Sequence, residues 1–248
     1  EGGLNPVQSQ FLRETKPFEE LYDVAADPHE IVNLAGSADH QHVLERMRKE
    51  QARWSEETLD TGLLPEPELE RLAGDVGIYG YLRAGDHSTF LHRLRIVATA
   101  SADGSAESFS LLTAAVDDDE PSIRYWGALG LARFATTNKT VRAKLAAIAA
   151  ADPSPSVRVA AAYAMCVTGS RSDGLRTLGN ELRNPQASVR LLAANAIDGC
   201  ATWGEPDDPR RELLPQFAAA LEDDNGYVVR VMNRIVRELN STADGSSD

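Results

Sequence analysis

Apolar residues return every third or fourth position through most of this chain, the period of a helix with one buried face. Phe109, Leu111 and Leu112, then Leu145 and Ile148, then Leu175, Leu178 and Leu182, and finally Leu213, Leu214, Phe217 and Leu221 form four such stripes. They predict helices over 108–116, 140–150, 174–182 and 211–221. A second segment of helical period follows each: 127–132, 160–165 and 193–197, all rich in Ala and Gly, and the bulkier 231–235. Small side chains let neighbouring helices approach closely, and a helix pair that cannot bury both its faces must stack on another pair.

A β-branched residue followed by Arg marks the start of each second segment: Ile123-Arg124, Val157-Arg158, Val189-Arg190 and Val229-Arg230. The arginines are spaced by 34 (158 - 124), 32 (190 - 158) and 40 (230 - 190) residues, inside the range of helical-hairpin solenoids. Turn residues precede every marker: Asp119-Glu120-Pro121, Asp152-Pro153-Ser154-Pro155, Asn184-Pro185 and Asp224-Asn225-Gly226. Such residues supply caps, and Pro is harmless in a first helical turn, where its missing N–H has no partner to lose. A degenerate helix over 87–100, with Phe90, Leu91, Leu94, Ile96 and Val97, is expected to cap the array, and 241–248 reads as a disordered polar tail.

Before about residue 75 the pattern changes. Glu20-Leu21-Tyr22-Asp23-Val24 alternates polar and apolar side chains, as a short strand does, and Asp27-Pro28-His29-Glu30 then turns the chain. A helix is expected from residue 37 or 38 to 58, with Val43, Leu44, Met47 and Trp54 on one stripe; Pro65 and Pro67 close the segment. The fold class is therefore mainly α: a small α+β region of strand plus long helix over 1–75, a capping and linker region over 76–103, helical hairpins over 104–240, and the tail over 241–248.

The 248 residues, 42% hydrophobic, suffice for an ordinary core, and no run of about 18 apolar residues offers a membrane span. A formal net charge of -13 sets a negative potential that repels phosphate backbones and acidic membrane faces. A nucleic-acid binder or a helical-repeat lyase is therefore disfavoured. Cys166 and Cys200 stand in helical, Ala-rich text, where a thiol behaves as a small buried apolar group more often than as half of a disulfide. The opening Glu1-Gly2-Gly3 shows no export signal and reads as the inside of a domain, so further chain is expected before it.

Two resemblances come from these motifs. The Pro-x-Val-Arg turns leading into Ala-rich helices resemble HEAT-like repeats, over about 104–240. The run Phe11-Leu12-Arg13-Glu14-Thr15-Lys16-Pro17-Phe18-Glu19-Glu20-Leu21-Tyr22-Asp23-Val24, with Asp27-Pro28-His29-Glu30, Asn33-Leu34-Ala35 and the helix that holds Trp54, resembles the carboxy-terminal subdomain of type I sulfatases in the alkaline-phosphatase-like superfamily. Some microbial sulfatases continue into HEAT-like repeats, so the two resemblances support each other. Together they imply an α-solenoid of HEAT-like hairpins behind a sulfatase subdomain, in a parent enzyme that hydrolyses sulfuric esters of sulfated sugars or related compounds. In that family a Cys or Ser within Cys/Ser-x-Pro-x-Arg becomes formylglycine, and calcium orients the sulfate. Both are expected in an amino-terminal catalytic domain, the implied partner of this chain, and the parent would be periplasmic or secreted.

Neither Cys166-Val167-Thr168-Gly169-Ser170 nor Cys200-Ala201-Thr202-Trp203-Gly204 carries the required Pro and Arg. No catalytic, cofactor-binding or metal residue is therefore assigned in this chain. Asn5 and Gln8 are candidates to line the wall of a substrate cleft. Arg124, Arg158, Arg190 and Arg230, with Trp126, are candidates for a scaffold surface that takes a protein partner or a sulfated glycan; an arginine repeated at one position also suits pairing with the acidic turn of its own or the next unit. His40 and His42 are two apart on a helix and point to different sides, and Asp117-Asp118-Asp119-Glu120 lacks the Gly and ligand spacing of a cation loop. The alternative to an enzyme part is a stand-alone HEAT-repeat interaction scaffold.

Overall fold

The computed structural model describes residues 3–13, 15–200 and 208–244. The chain divides into two compact units, Glu1–Asp60 and Thr61–Asp248.

In the first unit, α1 (Pro6–Ser9) is a single turn and α2 (Gln41–Thr58) is the long helix. A 3-10 turn at Ala38–His40 leads into α2, and Leu59, in the left-handed region at φ 53°, ends it by donating its N–H to Glu56 and Ser55. The expected strand over 20–24 is not formed, and no strand occurs among the described residues. The alternation is present, but a ladder needs a second backbone. One backbone bond, Leu34 N to Leu21 O at 2.7 Å, crosses to this segment. The rest of the tie is the Asn33 side chain, whose Oδ1 accepts from Leu21 N at 3.0 Å and whose Nδ2 donates to Glu19 O at 3.1 Å. Residues 24–26 then turn, with Asp23 Oδ1 accepting from Ala25 N, and the Asp27 carboxylate accepts from Ile31 N and Val32 N at 2.7 Å each.

The core of this unit is shallow. Leu44 and Ser55 are its buried residues among the described side chains, whereas Leu4, Leu12, Phe18, Val24, Val32, Met47 and Trp54 are exposed. Burial of one leucine contributes about 1.5–3 kcal/mol, against an ordering cost of about 1–2 kcal/mol for every residue fixed. The stripe expected on α2 therefore exists in sequence, but Met47 and Trp54 are each more than half exposed.

The second unit is a stack of helices: α3 (Glu66–Ala73), α4 (Gly77–Ala84), α5 (Ser88–Asp103), α6 (Ser108–Ala115), α7 (Pro121–Ala135), α8 (Lys139–Ala151), α9 (Pro155–Val167), α10 (Arg171–Glu181), α11 (Ala187–Gly199), α12 (Leu214–Ala220) and α13 (Gly226–Asp244). α6 packs on α7, α8 on α9, α10 on α11 and α12 on α13, while α5, α7, α9, α11 and α13 pack successively on one another. The packing is solenoid-like. Its core runs without interruption through Leu94, Leu112, Leu131, Leu145, Leu175, Leu178, Ile197, Phe217, Met232 and Ile235, all at most 1% exposed. Small residues set the helix spacing: a Cβ on Gly130 would meet Leu112 Cδ2 at 2.7 Å and Ser101 Cα at 2.9 Å.

Two details depart from the repeat read in sequence. Ile123, Val157, Val189 and Val228 are the equivalent buried residues at the starts of α7, α9, α11 and α13, each at most 1% exposed. Val229 is only half-buried, so Arg230 stands one residue out of register with Arg124, Arg158 and Arg190. α13 also continues through residues 241–244, the start of the polar tail expected over 241–248; residues 245–248 lie outside the described residues.

Candidate functional site

The three in-register arginines form a ladder along one edge of the array. Each sits in the first turn of a second helix, where the capping turn points carbonyl oxygens at it. Arg124 Nη1 donates to Asp118 O at 2.8 Å and Asp119 O at 3.0 Å; Arg158 Nη1 donates to Asp152 O at 2.8 Å; Arg190 Nη1 donates to Asn184 O at 3.0 Å and Pro185 O at 3.1 Å. The other face of each guanidinium reaches the next unit. Arg124 grips Asp152 with two bonds of 2.9 Å, and Arg190 grips Asp223 at 2.6 and 2.9 Å. The turn before α11 carries Asn184 instead of Asp, so Arg158 turns to Glu181 at 2.7 Å, and Asn184 Nδ2 holds the other oxygen of that carboxylate at 3.0 Å.

Charge-assisted, two-pronged pairs of this kind are the strong class of hydrogen bond, and here both partners are buried or nearly so. The hydrogen bond to Asp152 raises the basicity of Arg124, and Asp223 does the same for Arg190. In return the Arg190 hydrogen bond holds the Asp223 carboxyl below the usual carboxylate range. Arg124 is itself buried, and all three head groups are committed to the turns. Arg230 is exposed and lies over the Tyr227 ring, 5.5 Å from its centre.

Trp126 is half-buried on α7, donates its indole N–H to Leu63 O at 2.8 Å and meets Tyr125 edge to face at 5.6 Å. Trp203, in the segment after Cys200, lies outside the described residues. Asn5 and Gln8 cap α1 reciprocally: Gln8 N donates to Asn5 Oδ1 and Asn5 N to Gln8 Oε1, both at 2.9 Å. Each side chain is thus spent on its neighbour's backbone, although both residues are exposed.

Cys166 and Cys200 are free and buried, and the hydrogen bond with Cys166, followed by burial, pushes the Cys200 thiol up, away from the thiolate that a nucleophile needs. His40 Nδ1 lies 2.9 Å from Ser37 Oγ, as part of the turn into α2. Within the acidic run, Asp117 pairs with Lys144 at 2.5 Å, Asp118 with Arg93, and Glu120 with Arg71 while it caps α7. These carboxylates line an open depression of about 450 Å³ with Arg93 and Ala114. Among the described residues, no three His, Cys, Asp or Glu side chains converge as a metal site. No helix of the described residues is long and apolar enough to cross a membrane.

A second edge was not foreseen from the sequence. α3 lies across the amino-terminal ends of α7, α9 and α11. The Glu68 carboxylate, only 3% exposed, accepts from Ser154 Oγ at 2.6 Å and Ser156 Oγ at 2.5 Å, and its other oxygen holds Arg71 Nε at 2.6 Å. Glu70 accepts from Gln186 Nε2 and Ser188 Oγ at 2.7 Å each, and Arg71 reaches Glu120, the cap of α7. The signal for it was in the chain: Ser122, Ser156 and Ser188 stand two residues before each in-register arginine, and Glu66, Glu68 and Glu70 alternate in a short segment.

No protein-family model matches the chain. A stretch of 69 residues, 28% of the chain, is 46% identical to the ulvan-active sulfatase of Formosa agariphila. That stretch spans 12% of the sulfatase's length, so part of the chain is related to a sulfatase while most of that protein has no counterpart in it.

Proposed function

We propose that the chain is the carboxy-terminal part of a sulfuric-ester hydrolase acting on sulfated sugars, and that it is not catalytic by itself. Residues 1–75 serve as the sulfatase subdomain, and the helical array is a HEAT-like interaction scaffold. The observation that carries this reading is the 46% identity over 69 residues to a sulfatase, a length close to that of the segment with the sulfatase-like motifs. The exposed apolar residues of the first unit support it, because a layer with so little core of its own is stabilised by a larger neighbour. That neighbour is the catalytic domain, which supplies formylglycine and calcium; the parent is a periplasmic or secreted protein.

The reading frame upstream of Glu1 is the test. It is expected to encode a Cys/Ser-x-Pro-x-Arg motif, and the purified chain is expected to turn over no aryl sulfate even with calcium added. An upstream frame without that motif, or turnover by the chain alone, overturns the proposal. The continuous core of the second unit favours a second reading, a stand-alone HEAT-repeat scaffold that kept a sulfatase remnant. The same upstream frame separates the two.

A further inference from the structure

The chain holds two cysteines, 34 residues apart (200 - 166), and the fold brings them together. Cys166 lies in the last turn of α9, and Cys200 is the residue that ends α11. The two helices pack side by side. Tyr163 stands one turn before Cys166 on the same face of α9, and its ring carbon Cε2 would be 3.0 Å from a Cβ on Gly199, the residue before Cys200. The thiols themselves meet in a hydrogen bond, and they are only 1% and 2% exposed. Cys166 Sγ also donates to Arg171 O, 3.7 Å away at the start of α10, so the pair sits where the ends of three helices converge.

A disulfide needs Cα atoms about 4.4–6.8 Å apart, closer than the axes of most packed helices. The composition of these two helices permits that approach. Ala160, Ala161, Ala162 and Ala164 of α9 and Ala193 and Ala194 of α11 are all at most 2% exposed, and such small side chains let backbones come near one another. With two cysteines in the chain, one intramolecular pairing exists and no rival partner competes for it.

We propose that Cys166 and Cys200 close as a disulfide that staples α9 to α11 when the chain folds in an oxidising compartment. Two S–H bonds break and one S–S bond forms; the two electrons and two protons pass to a disulfide oxidant, which leaves as a pair of thiols. The step precedes closure of the array, because in the folded chain both sulfurs are shut from solvent, and the hydrogen bond with Cys166, followed by burial, holds the Cys200 thiol far from its reactive thiolate. The same burial then shields the bond from reducing thiols. It encloses α10 and α11 in one covalent loop and so ties one unit of the array to the next. The chemistry stands on the two cysteines; only its occurrence in the cell rests on the reading of the parent as periplasmic or secreted.

The test is refolding of the full chain with oxidised glutathione and, in parallel, with dithiothreitol, followed by denaturation, alkylation and peptide mapping by mass spectrometry. The oxidised chain is expected to be a monomer, lighter by two hydrogens, with neither cysteine alkylated and the peptides of Cys166 and Cys200 linked. Its Tm is expected to lie at least about 5 °C above that of the reduced chain, and Cys200→Ala is expected to melt at one temperature under both conditions. Two alkylated cysteines after oxidative refolding, glutathione adducts, or dimers joined through one cysteine overturn the proposal, as does a linked chain that melts no higher than the reduced one. If Cys200→Ala does not fold, the peptide map and the two melts of the unchanged chain decide. A linked chain whose upstream frame lacks the sulfatase motif keeps the staple and removes only the proposed parent, so the two failures are told apart.

Discussion

Replacing Gly174 with alanine isolates the close packing on which the array rests. A Cβ at that position would lie 2.5 Å from Ala162 O, 2.6 Å from Cys166 Sγ and 3.1 Å from Cys166 N. Ordinary contact begins near 3.4 Å, and two of the three obstacles are backbone atoms of α9, so no rotamer change relieves the clash. α10 has to move off α9 by nearly an ångström along much of its length. Overpacking of this kind costs about 1–3 kcal/mol, and a backbone obstacle puts Gly174→Ala at the upper end. Alanine's better helix propensity returns about 1 kcal/mol, leaving a net loss of about 2 kcal/mol. For a unit of this size that lowers Tm by about 4–8 °C in a calorimetric or circular-dichroism melt. Gly80, on α4, is the control: its nearest neighbour is Val76 Cβ at 3.4 Å. Gly80→Ala is expected to raise Tm by about 1–4 °C, from reduced freedom of the unfolded chain and better helix propensity. A Gly174→Ala protein that melts at or above the unchanged one would refute the packing given for α9 and α10.

Further outcomes follow from the ladder. Asp152→Ala leaves the buried Arg124 guanidinium with turn carbonyls but no carboxylate, and denaturant unfolding is expected to show a loss of about 3–5 kcal/mol; a loss under about 1 kcal/mol would mean that the pair is solvated. Acidification acts through Asp223. Its carboxyl is held low by Arg190, so the folded state binds fewer protons, and the stabilisation is complete above the unfolded aspartate's pKa of about 3.9 and lost as pH falls through the lower folded value. The acid limb of a stability profile is therefore expected to flatten in Asp223→Asn relative to the unchanged chain, and identical limbs would remove Asp223 from the acid response.

Sequence carried the helices of the array because their apolar residues repeat locally, within the reach of a 3.6-residue period. Leu175 and Leu178 mark α10 as plainly in the sequence as in the fold, where both are at most 1% exposed. In the last unit Val229-Arg230 matches the dipeptide marker, but Val228, Met232, Ile235 and Leu239 spell the buried stripe of α13, one residue out of register. The segment over 20–24 has the alternation of a strand, but alternation cannot supply a partner, and Asn33 answers it with a side chain in place of a ladder. The α3 edge was illegible for a different reason: Glu68 meets Ser154 and Ser156, and Glu70 meets Ser188, across 86, 88 and 118 residues, and nothing local encodes such a meeting. Asn5 and Gln8 show the converse, since a reciprocal cap over three residues is fully local.

Limited proteolysis of the intact chain, read by mass spectrometry, tests most directly whether the opening unit is an incomplete layer and the helical array self-sufficient. Cleavage is expected first within residues 3–60, leaving a resistant fragment that begins near Thr61 and retains α3 through α13. Early cuts inside α7, α9 or α11, or an opening unit as resistant as the array, would contradict it.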